Sequence, residues 1–456
     1  MVRLISHSST LFSQLMIHRS ADGTTLFTSS FSNQICTFVL PETLLQPRES
    51  PVELIAHSTL VLPEPTSAIA PCPYFALEHP STQTLLTAST DHPIHLHHAF
   101  PPPPPSPPPP PSQPQPQRQP QPQPPPLASF RLIQHETEAY LPIASLIWPA
   151  PGTHFVAGTA NRIALFDLSR PDALSPDPLL SIPTIPSTRH LAKGGGVGMR
   201  GTVSALGAQP MSAAVGDAGG GGGGSGWGLL AAGTWTRNLG LYDLVRSGEC
   251  VATWSAAGAA KEAGIGGRGV MQTVWSPCGR YLVVNERAAT GLLVYDLRGT
   301  HRLLGTLEGR DGATNQRLSC DVFPGTESME GFEVWAGTRD GGVVVWEGVG
   351  NQEGAVQPSW DWKAHGSAVG ATAMHMSGSV VATCSGAWTF VDEDGDESSN
   401  SSDSSDESGP EASTARRSGS KSRVVVEETS LKVWSLGPSN SSQAERETAE
   451  GGDAEI

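Results

Sequence analysis

One short pattern returns along most of the 456-residue chain and restricts the folds open to it. A hydrophobic run leads into a tight turn rich in Gly, Asn or Asp, and a second hydrophobic run often ends in an aromatic residue followed by an acid. The clearest copy, WAGTRDGGVVVWE, spans 335–347. An Asp-Gly turn between two such runs predicts a β-hairpin. Further copies occupy 26–39, 86–98, 156–167, 231–243 and 282–296, with a seventh split between 379–388 and 430–435.

Two further strands accompany most of these hairpins. A short hydrophobic strand and a polar turn precede the hairpin, as in TVWSPCG (273–279), and another apolar run follows, as in HRLLGTL (301–307). Four short strands per unit, repeated seven times, predict an all-β, seven-bladed β-propeller. One unit cannot bury its own two faces, whereas stacked units bury them against each other.

The ends of the hairpins resemble degenerate WD repeats. In WD-repeat blades the aromatic residue packs between sheets, and an Asp of the hairpin turn and an upstream His tie strand ends together. The resemblance therefore gives structural roles to turn residue Asp340, to His365 in AHG and to Trp434. It gives the same role to the aromatic–acid pairs Phe166–Asp167, Tyr242–Asp243 and Tyr295–Asp296, and to Trp346 with its following acid.

The last unit needs a strand from elsewhere in the chain. After Trp434 the sequence contains no further strand, so the seventh blade lacks its outer strand unless the N-terminus supplies one. VRLIS (2–6) is the candidate, and such closure removes the open edge of the ring. We expect the propeller to span 1–437 and an acidic tail, 438–456, to be disordered.

Three low-complexity insertions interrupt the repeats and are expected to be disordered loops. They are the Pro/Gln-rich tract 101–126, the Gly-rich loop 194–226, and 391–423, which is acidic and Ser-rich and then basic. The proline tract is interpreted as a polyproline II spacer, with binding of SH3 or WW domains as an open alternative.

Composition argues against most enzymatic and metal-binding roles. The six cysteines form no C-x-x-C pair, and the motifs G-x-S-x-G, H-E-x-x-H and the phosphate-binding P-loop are missing. In HPIHLHHAF (92–100), His95 and His97 share one strand face, but the neighbouring sequence offers no further ligand pair or carboxylate. We therefore predict a strand here, no metal or cofactor, no small-molecule substrate and no enzymatic activity.

Net charge is −16, of which −10 lies from Val391 onward (16 acidic against 6 basic residues) and −6 before it. Charge alone therefore predicts no broad basic surface. The apolar run near the N-terminus is too short to span a membrane. We expect a soluble intracellular protein.

Several segments resemble the telomerase Cajal body protein family of WD-repeat proteins. They are TNQRLSCDVFPG (314–325), ASTDHPIHLHHAF (88–100), the third-blade stretch 128–166 and GTWTRNLGLYDL (233–244). The resemblance covers roughly 80–350. It implies a nuclear scaffold in Cajal bodies or nucleoplasm, with a cytoplasmic pool left open. It also implies binding of box H/ACA Cajal body RNAs or small nuclear RNAs, in telomerase biogenesis or pre-mRNA splicing.

The geometry of such blades predicts where an RNA or RNP would bind. Loops between blades and hairpin turns open on the same rim, and Arg both forks onto phosphate and stacks on unpaired bases. The candidate residues are Arg162, Trp235 as a stacking platform, Arg237, Arg310, Asn315, Gln316, Arg317 and Arg339. Alternatively, Asn315 and Gln316 cap strand ends and Arg317 pairs with Asp311 or Asp321.

Two other functions stay open at this point. The chain is also consistent with a general WD-repeat protein–protein adaptor. YDLR (295–298) resembles the WD-x-R docking motif of ubiquitin-ligase substrate receptors, with Tyr in place of Trp. A signalling scaffold that recruits SH3 proteins through the proline tract is the other form of this alternative.

Overall fold

The structure used here is a computed structural model of the chain. It describes residues 2–9, 14–30, 32–46, 50–101, 125–134, 136–169, 177–186, 198–210, 228–299, 302–325, 331–392 and 422–437. Most of the proline tract, 102–124, and the acidic tail, 438–456, lie outside these residues.

The strands form seven sheets, which confirms the predicted seven-bladed propeller. Within each blade the strands are counted from the centre outward. Blade 1 holds Gln14–Arg19, Thr25–Ser30, Gln34–Val39 and Ser58–Val61; blade 2 holds Thr66–Pro71, Thr84–Ser89, Ile94–His98 and Ala128–Phe130. Blade 3 holds Ser145–Ile147, His154–Thr159, Arg162–Asp167 and Leu180–Pro183; blade 4 holds Val203–Ala208, Leu229–Thr234, Asn238–Asp243 and Glu249–Ser255.

Of the remaining three blades, blades 5 and 7 carry a fifth strand and blade 6 has four. Blade 5 holds Val270–Trp275, Tyr281–Glu286, Leu292–Asp296, Arg302–Leu307 and Gly354–Val356; blade 6 holds Cys320–Phe323, Phe332–Gly337, Gly342–Val349 and Trp360–Lys363. Blade 7 holds Val369–Met374, Val380–Asp392, Ser422–Leu436, Val2–Ser9 and Val52–Glu53. The fifth strands of blades 5 and 7 run parallel to their neighbours and cover those sheet edges. Three short helices occur in the described ranges: Pro80–Thr82, Ala257–Glu262 and Leu297–Gly299.

The first strands line a central channel and form a closed ring. Each contacts the first strand of the next blade, and that of blade 7 contacts that of blade 1. Because strand direction alternates within a blade, the connections divide between two faces. Turns between second and third strands, and loops between blades, lie on what we call the upper face, whereas the other turns lie on the lower face.

Closure depends on the N-terminal strand, as the sequence predicted. Val2–Ser9 pairs antiparallel with the third strand of blade 7, from Val2 opposite Leu436 to Ser9 opposite Ser430. Ile5 is only 4% exposed, and packs with residues of blades 1 and 7. The first and last described strands of the chain therefore share one sheet.

The aromatic residues that end the hairpins pack between blades. Phe166 is buried, stacks on Phe155 with ring centroids 4.7 Å apart, and meets Phe130 of blade 2 at 6.0 Å. Tyr295 of blade 5 likewise contacts Trp254 of blade 4 at 5.5 Å. Tyr242 and Trp346 are also buried. These rings fill the spaces between neighbouring sheets.

The acids after these aromatics shape the turns that follow. The carboxylates of Asp167, Asp243 and Asp296 each accept the backbone N–H two residues ahead, at 2.8–3.0 Å. This is the Asx-turn, in which an Asp side chain replaces a backbone acceptor. The aromatic–acid pair thus combines a core residue with a turn residue at each strand end.

Turn residue Asp340 serves the hairpin of blade 6. Its carboxylate accepts the Thr338 hydroxyl and forms an ion pair with Lys363 at 3.7 Å. Asp340 is exposed, so this pair adds little to stability.

His365 anchors blade 7 through a buried polar network. The indole N–H of Trp434 donates to the Thr383 hydroxyl at 2.8 Å, and that hydroxyl donates to His365 Nε2 at 2.7 Å. His365 Nδ1 lies 3.0 Å from the Ser430 hydroxyl, which donates to Glu428 at 2.6 Å. Glu428 therefore makes the contact with the histidine that a turn Asp makes in a WD repeat.

Burial sets the charge states of this network. Burial, and then the positive charge of Lys432, lowers the pKa of His365 to about 4. Burial would raise the pKa of Glu428, but hydrogen bonds from Lys432, Ser430 and the Gly366 N–H outweigh it and lower that pKa to about 2. At neutral pH the histidine is neutral and the glutamate is charged.

Two insertions are shorter than the sequence predicted. The interval 194–226 contains Val203–Ala208, the first strand of blade 4. At the other insertion, 391–423, pairing of blade 7 continues to Asp392 opposite Ser422, which leaves 393–421 outside the described residues. Both extensions follow β propensity, because aromatic and β-branched residues fill 388–391 and 424–426.

Shortening Ile5 tests the closure. We expect Ile5→Ala to lower the free energy of unfolding by about 2–5 kcal/mol, since it leaves a cavity where the N-terminal strand joins the ring. The matched control is Val61→Ala. Val61 ends the outer strand of blade 1 and is 45% exposed, so we expect little change in the free energy of unfolding. Chemical denaturation of both variants measures the difference, and equal stabilities would show that the N-terminal strand does not hold the ring closed.

Titration tests the state of His365. Unfolded chains bind a proton on histidine near pH 6.5, whereas folded His365 does so only near pH 4, so stability should fall as pH drops through this window. Because His18 and His97 share this pKa of about 4, His365→Gln should reduce the slope of unfolding free energy against pH by about 1 kcal/mol per unit without abolishing it. The exposed His79→Gln should keep the full slope; a charged His365 would predict an unchanged slope in both variants.

Candidate binding surface on the upper face

The topology brings the predicted interface residues to one face. Trp235, Arg237 and Arg339 lie in turns between second and third strands, and Arg162 begins a third strand directly after such a turn. The 310–317 loop connects blades 5 and 6. All therefore belong to the upper face, but their side chains have very different environments.

Arg310 is a structural residue and is unavailable on the surface. It is 2% exposed, and its guanidinium donates to Gly337 O at 2.9 Å, Asn285 Oδ1 at 3.0 Å and Leu318 O at 2.7 Å. One guanidinium thus donates to three acceptors inside the protein. Its predicted place in the interface must be corrected, because these buried bonds fix it inside the loop.

Two other candidates have their charge balanced by an acid. Arg237 Nε lies 2.6 Å from Glu286 Oε2, and Nη2 donates to Gly266 O at 2.9 Å. Arg339 Nη2 lies 3.1 Å from Asp311 Oδ2. Both link neighbouring blades, so their positive charge is largely neutralised.

Arg317 does not make either of the ion pairs that the sequence allowed. Asp311 pairs with Arg339, and the Asp321 carboxylate accepts the N–H groups of Met374 at 2.7 Å and Val322 at 2.9 Å. Within the described ranges, Arg317 has no ion pair or hydrogen-bonding partner for its side chain. Arg317 is half-buried and lines a cavity on the upper face.

Asn315 and Gln316 directly precede Arg317, and the first is exposed whereas the second is half-buried. Asn315 is exposed, and the backbone N–H of Gln316 donates to the Thr314 hydroxyl at 3.2 Å. In the part of the chain that the structure describes, neither side-chain amide forms the predicted strand-end cap.

Three further arginines on this face were missed by the sequence analysis. Arg200 and Arg268 lie in the loops entering blades 4 and 5, and Arg287 follows the second strand of blade 5. Arg200 precedes its first strand by three residues, as Arg317 does, and Arg268 by two. That equivalent spacing was the signal that could have identified the two loop arginines.

Backbone hydrogen bonds join several of these loops in pairs. Asn161 N donates to Gly201 O at 2.9 Å, Trp235 N to Thr202 O at 3.1 Å, and Arg268 N to Arg287 O at 2.8 Å. Arg287 and Arg317 line one cavity beside Trp235. We call five residues the arginine arc, because none of them pairs with an acid among the described residues: Arg162, Arg200, Arg268, Arg287 and Arg317.

Gly269 permits the close packing beneath Trp235. Its φ is +149°, and a Cβ atom there would stand 2.8 Å from the Trp235 carbonyl oxygen. The loop can therefore pass directly under the tryptophan, which stays 56% exposed. This places a large aromatic surface within the arc.

The arc is locally basic although the protein is acidic. The stretches 160–162, 198–202, 235–237, 266–269, 287–291 and 312–319 contain six arginines and no acid. No described member of the arginine arc forms an ion pair, whereas Arg237 takes up the nearby Glu286. The surface can therefore attract phosphate groups.

The histidine-rich segment is a strand, as predicted. Ile94–His98 is the third strand of blade 2, and the rings of His95 and His97 lie 5.7 Å apart. Burial, and then the charge of His95, lowers the pKa of His97 to about 4. No group of three or more His, Cys, Asp or Glu side chains able to hold a metal occurs among the described residues.

YDLR, the segment that resembles a docking motif, uses its arginine within its own blade. Arg298 Nη2 lies 2.8 Å from Asp296 Oδ2, and the guanidinium carbon stands 5.6 Å from the Tyr281 ring centre.

No helix in the described ranges is long and apolar enough to cross a membrane.

Comparison with known proteins gives a limited match. No protein-family model matches the sequence. A segment of 117 residues is 30% identical to guanine nucleotide-binding protein negative regulator 1 of Schizosaccharomyces pombe, covering 26% of this chain and 26% of that protein. The chain thus matches about a quarter of that relative. The fold itself is typical of WD-repeat scaffolds and adaptors.

The two kinds of arginine can be separated by stability. We expect Arg310→Gln to lower the free energy of unfolding by about 3 kcal/mol, because three buried acceptors lose a charged donor. Arg339→Gln, which breaks only an exposed ion pair, should cost about 1 kcal/mol or less. Chemical denaturation measures both, and a small effect at Arg310 would contradict its role as a structural residue.

Proposed function

We propose that this protein is a non-enzymatic nuclear scaffold that binds a small non-coding RNA within its ribonucleoprotein particle. The RNA would be of the box H/ACA Cajal body class or a small nuclear RNA. The role would lie in particle assembly or localisation, for telomerase or pre-mRNA splicing. The observation that carries the proposal is the arginine arc: five arginines without an ion pair among the described residues, on the same face as the exposed Trp235 of an acidic protein.

The chemistry of the arc suits single-stranded RNA. Guanidinium groups bind phosphate through forked hydrogen bonds, and they stack on bases that are not paired. An exposed tryptophan offers a further stacking surface, typical of proteins that bind unpaired loops. Arg162 and Arg268 stand at separate loops, so the arc could follow a strand over several phosphates.

The resemblance to the telomerase Cajal body protein family supports the same region. One of its segments, 314–325, contains Arg317 and the loop into blade 6, and another, 233–244, contains Trp235. These loops would form the RNA-binding face of this chain. The proposed location is the nucleus, in Cajal bodies or nucleoplasm, with a cytoplasmic pool.

A second candidate is a protein–protein adaptor. It is favoured by the segment similar to the fission yeast protein named as a negative regulator of a guanine nucleotide-binding protein. In that case the partner would be a protein, and a ubiquitin-ligase receptor or an SH3-recruiting scaffold is the form it would take. Arg298 argues against docking through YDLR, because Asp296 already holds it.

Charge reversal on the arc distinguishes the two functions. We expect Arg162→Glu with Arg268→Glu to reduce RNA recovery after crosslinking at least about tenfold, because repulsion replaces phosphate contacts. Arg280→Glu is the control, since Arg280 is an exposed arginine in a lower-face turn. Sequencing of the recovered RNA would identify the particle.

Two results would overturn the RNA proposal. One is equal recovery from the double variant and the unaltered protein. The other is an RNA-free purification rich in ubiquitin-ligase subunits or SH3 proteins, which would support the adaptor function.

A further inference from the structure

The mouth of the central channel on the upper face opens into a cavity of about 470 Å³. This volume lies within the range of about 300–1,000 Å³ that holds small organic ligands. Arg287 and Arg317 contribute its charge. Its apolar wall consists of Pro142, Ile143, Ala144, Ala160, Trp235 and Met271.

The two guanidiniums lack a counter-charge. Burial, and then the charge of Arg287, lowers the pKa of Arg317, and both like-charged residues line the same cavity. Charged groups withdrawn from water are normally paired, because desolvation is costly. In the described ranges no carboxylate pairs with either arginine. The cavity is therefore preorganised for an anion.

Hydroxyl groups add acceptors to the same cavity. Ser204 donates its hydrogen to Val270 O, and Ser67 donates to Ala88 O at 3.1 Å. Each oxygen keeps lone pairs that can accept a hydrogen bond from a ligand. Thr202 also lines the space. An aliphatic anion would leave these hydroxyl oxygens without a donor, whereas the N–H groups of a nucleobase can donate to them.

We propose that this upper cavity binds one nucleoside monophosphate unit, with its phosphate between Arg287 and Arg317 and its base against Trp235 and Met271. Two sources have this chemistry: a free nucleotide and one unpaired residue of an RNA strand. In the second case the inference rests on the proposed function. The unit binds without chemical change, since the cavity offers recognition only.

Thermal unfolding with small probes tests the cavity without RNA. We expect AMP, GMP, CMP or UMP at about 1 mM to raise the melting temperature. Adenosine should not raise it, because adenosine lacks the phosphate. Inorganic phosphate should bind at least about tenfold more weakly than the best nucleotide, because it lacks the base. The absence of a shift with all four nucleotides would overturn the inference.

Three variants assign the contacts. Arg317→Gln should abolish the nucleotide shift without loss of basal stability, since it removes one of two repelling charges. Trp235→Ala should weaken nucleotide binding while leaving weak phosphate binding unchanged. Arg280→Gln on the lower face should bind as the unaltered protein does. If Arg317→Gln unfolds, Arg317→Lys replaces it, with weaker binding expected because the fork is lost.

Binding of a short fluorescent single-stranded RNA separates the two sources. Where the unit belongs to RNA, AMP should compete with the strand, and Trp235→Ala should weaken both ligands. Where it is a free nucleotide, the shift should persist while RNA binding is missing or does not compete. Loss of RNA in Arg162→Glu with Arg268→Glu, with the nucleotide shift retained, would show that the arc and the cavity act separately.

Discussion

Antiparallel pairing between Val2–Ser9 and the last described strand of the chain is the interaction on which the rest of the molecule depends. It supplies blade 7 with its fourth strand and brings the first strands of blades 1 and 7 into contact. The cavity at the channel mouth has walls from blades 2 to 6, whose spacing only a closed ring can fix. The stability of the blade 7 sheet therefore controls the geometry of the cavity, which lies on the opposite side of the ring.

Closure also explains how an acidic chain acquires a basic surface. The six loop stretches without acids are scattered between residues 160 and 319, yet every one of them lies at the upper face. In a count along the whole chain these arginines are outnumbered by acids, some of which, such as Asp311 and Asp340, lie on the upper face as well. Circular stacking of the blades sorts loops by face, so that net charge of −16 and a local excess of unpaired arginine coexist.

The fold was predictable because hairpin period and turn chemistry are local properties, and strand closure followed from a missing outer strand. Side-chain partners were not. Arg310 and Arg317 stand seven residues apart in one loop, but only the first meets buried acceptors, at Gly337 O and Leu318 O. The packing of neighbouring blades decides which backbone carbonyl groups an arginine of this loop can reach. Glu428 likewise reaches His365 across the longest insertion, where no fixed spacing could reveal it.

The pairing of arginines on the upper face follows from where acids end strands. Glu286 closes the second strand of blade 5 and engages Arg237, whereas the next residue, Arg287, turns to the channel mouth and has no acid opposite. Of these two adjacent residues, Glu286 belongs to a structural ion pair, whereas Arg287 has no ion pair among the described residues. The phosphate groups of the proposed RNA would balance this charge.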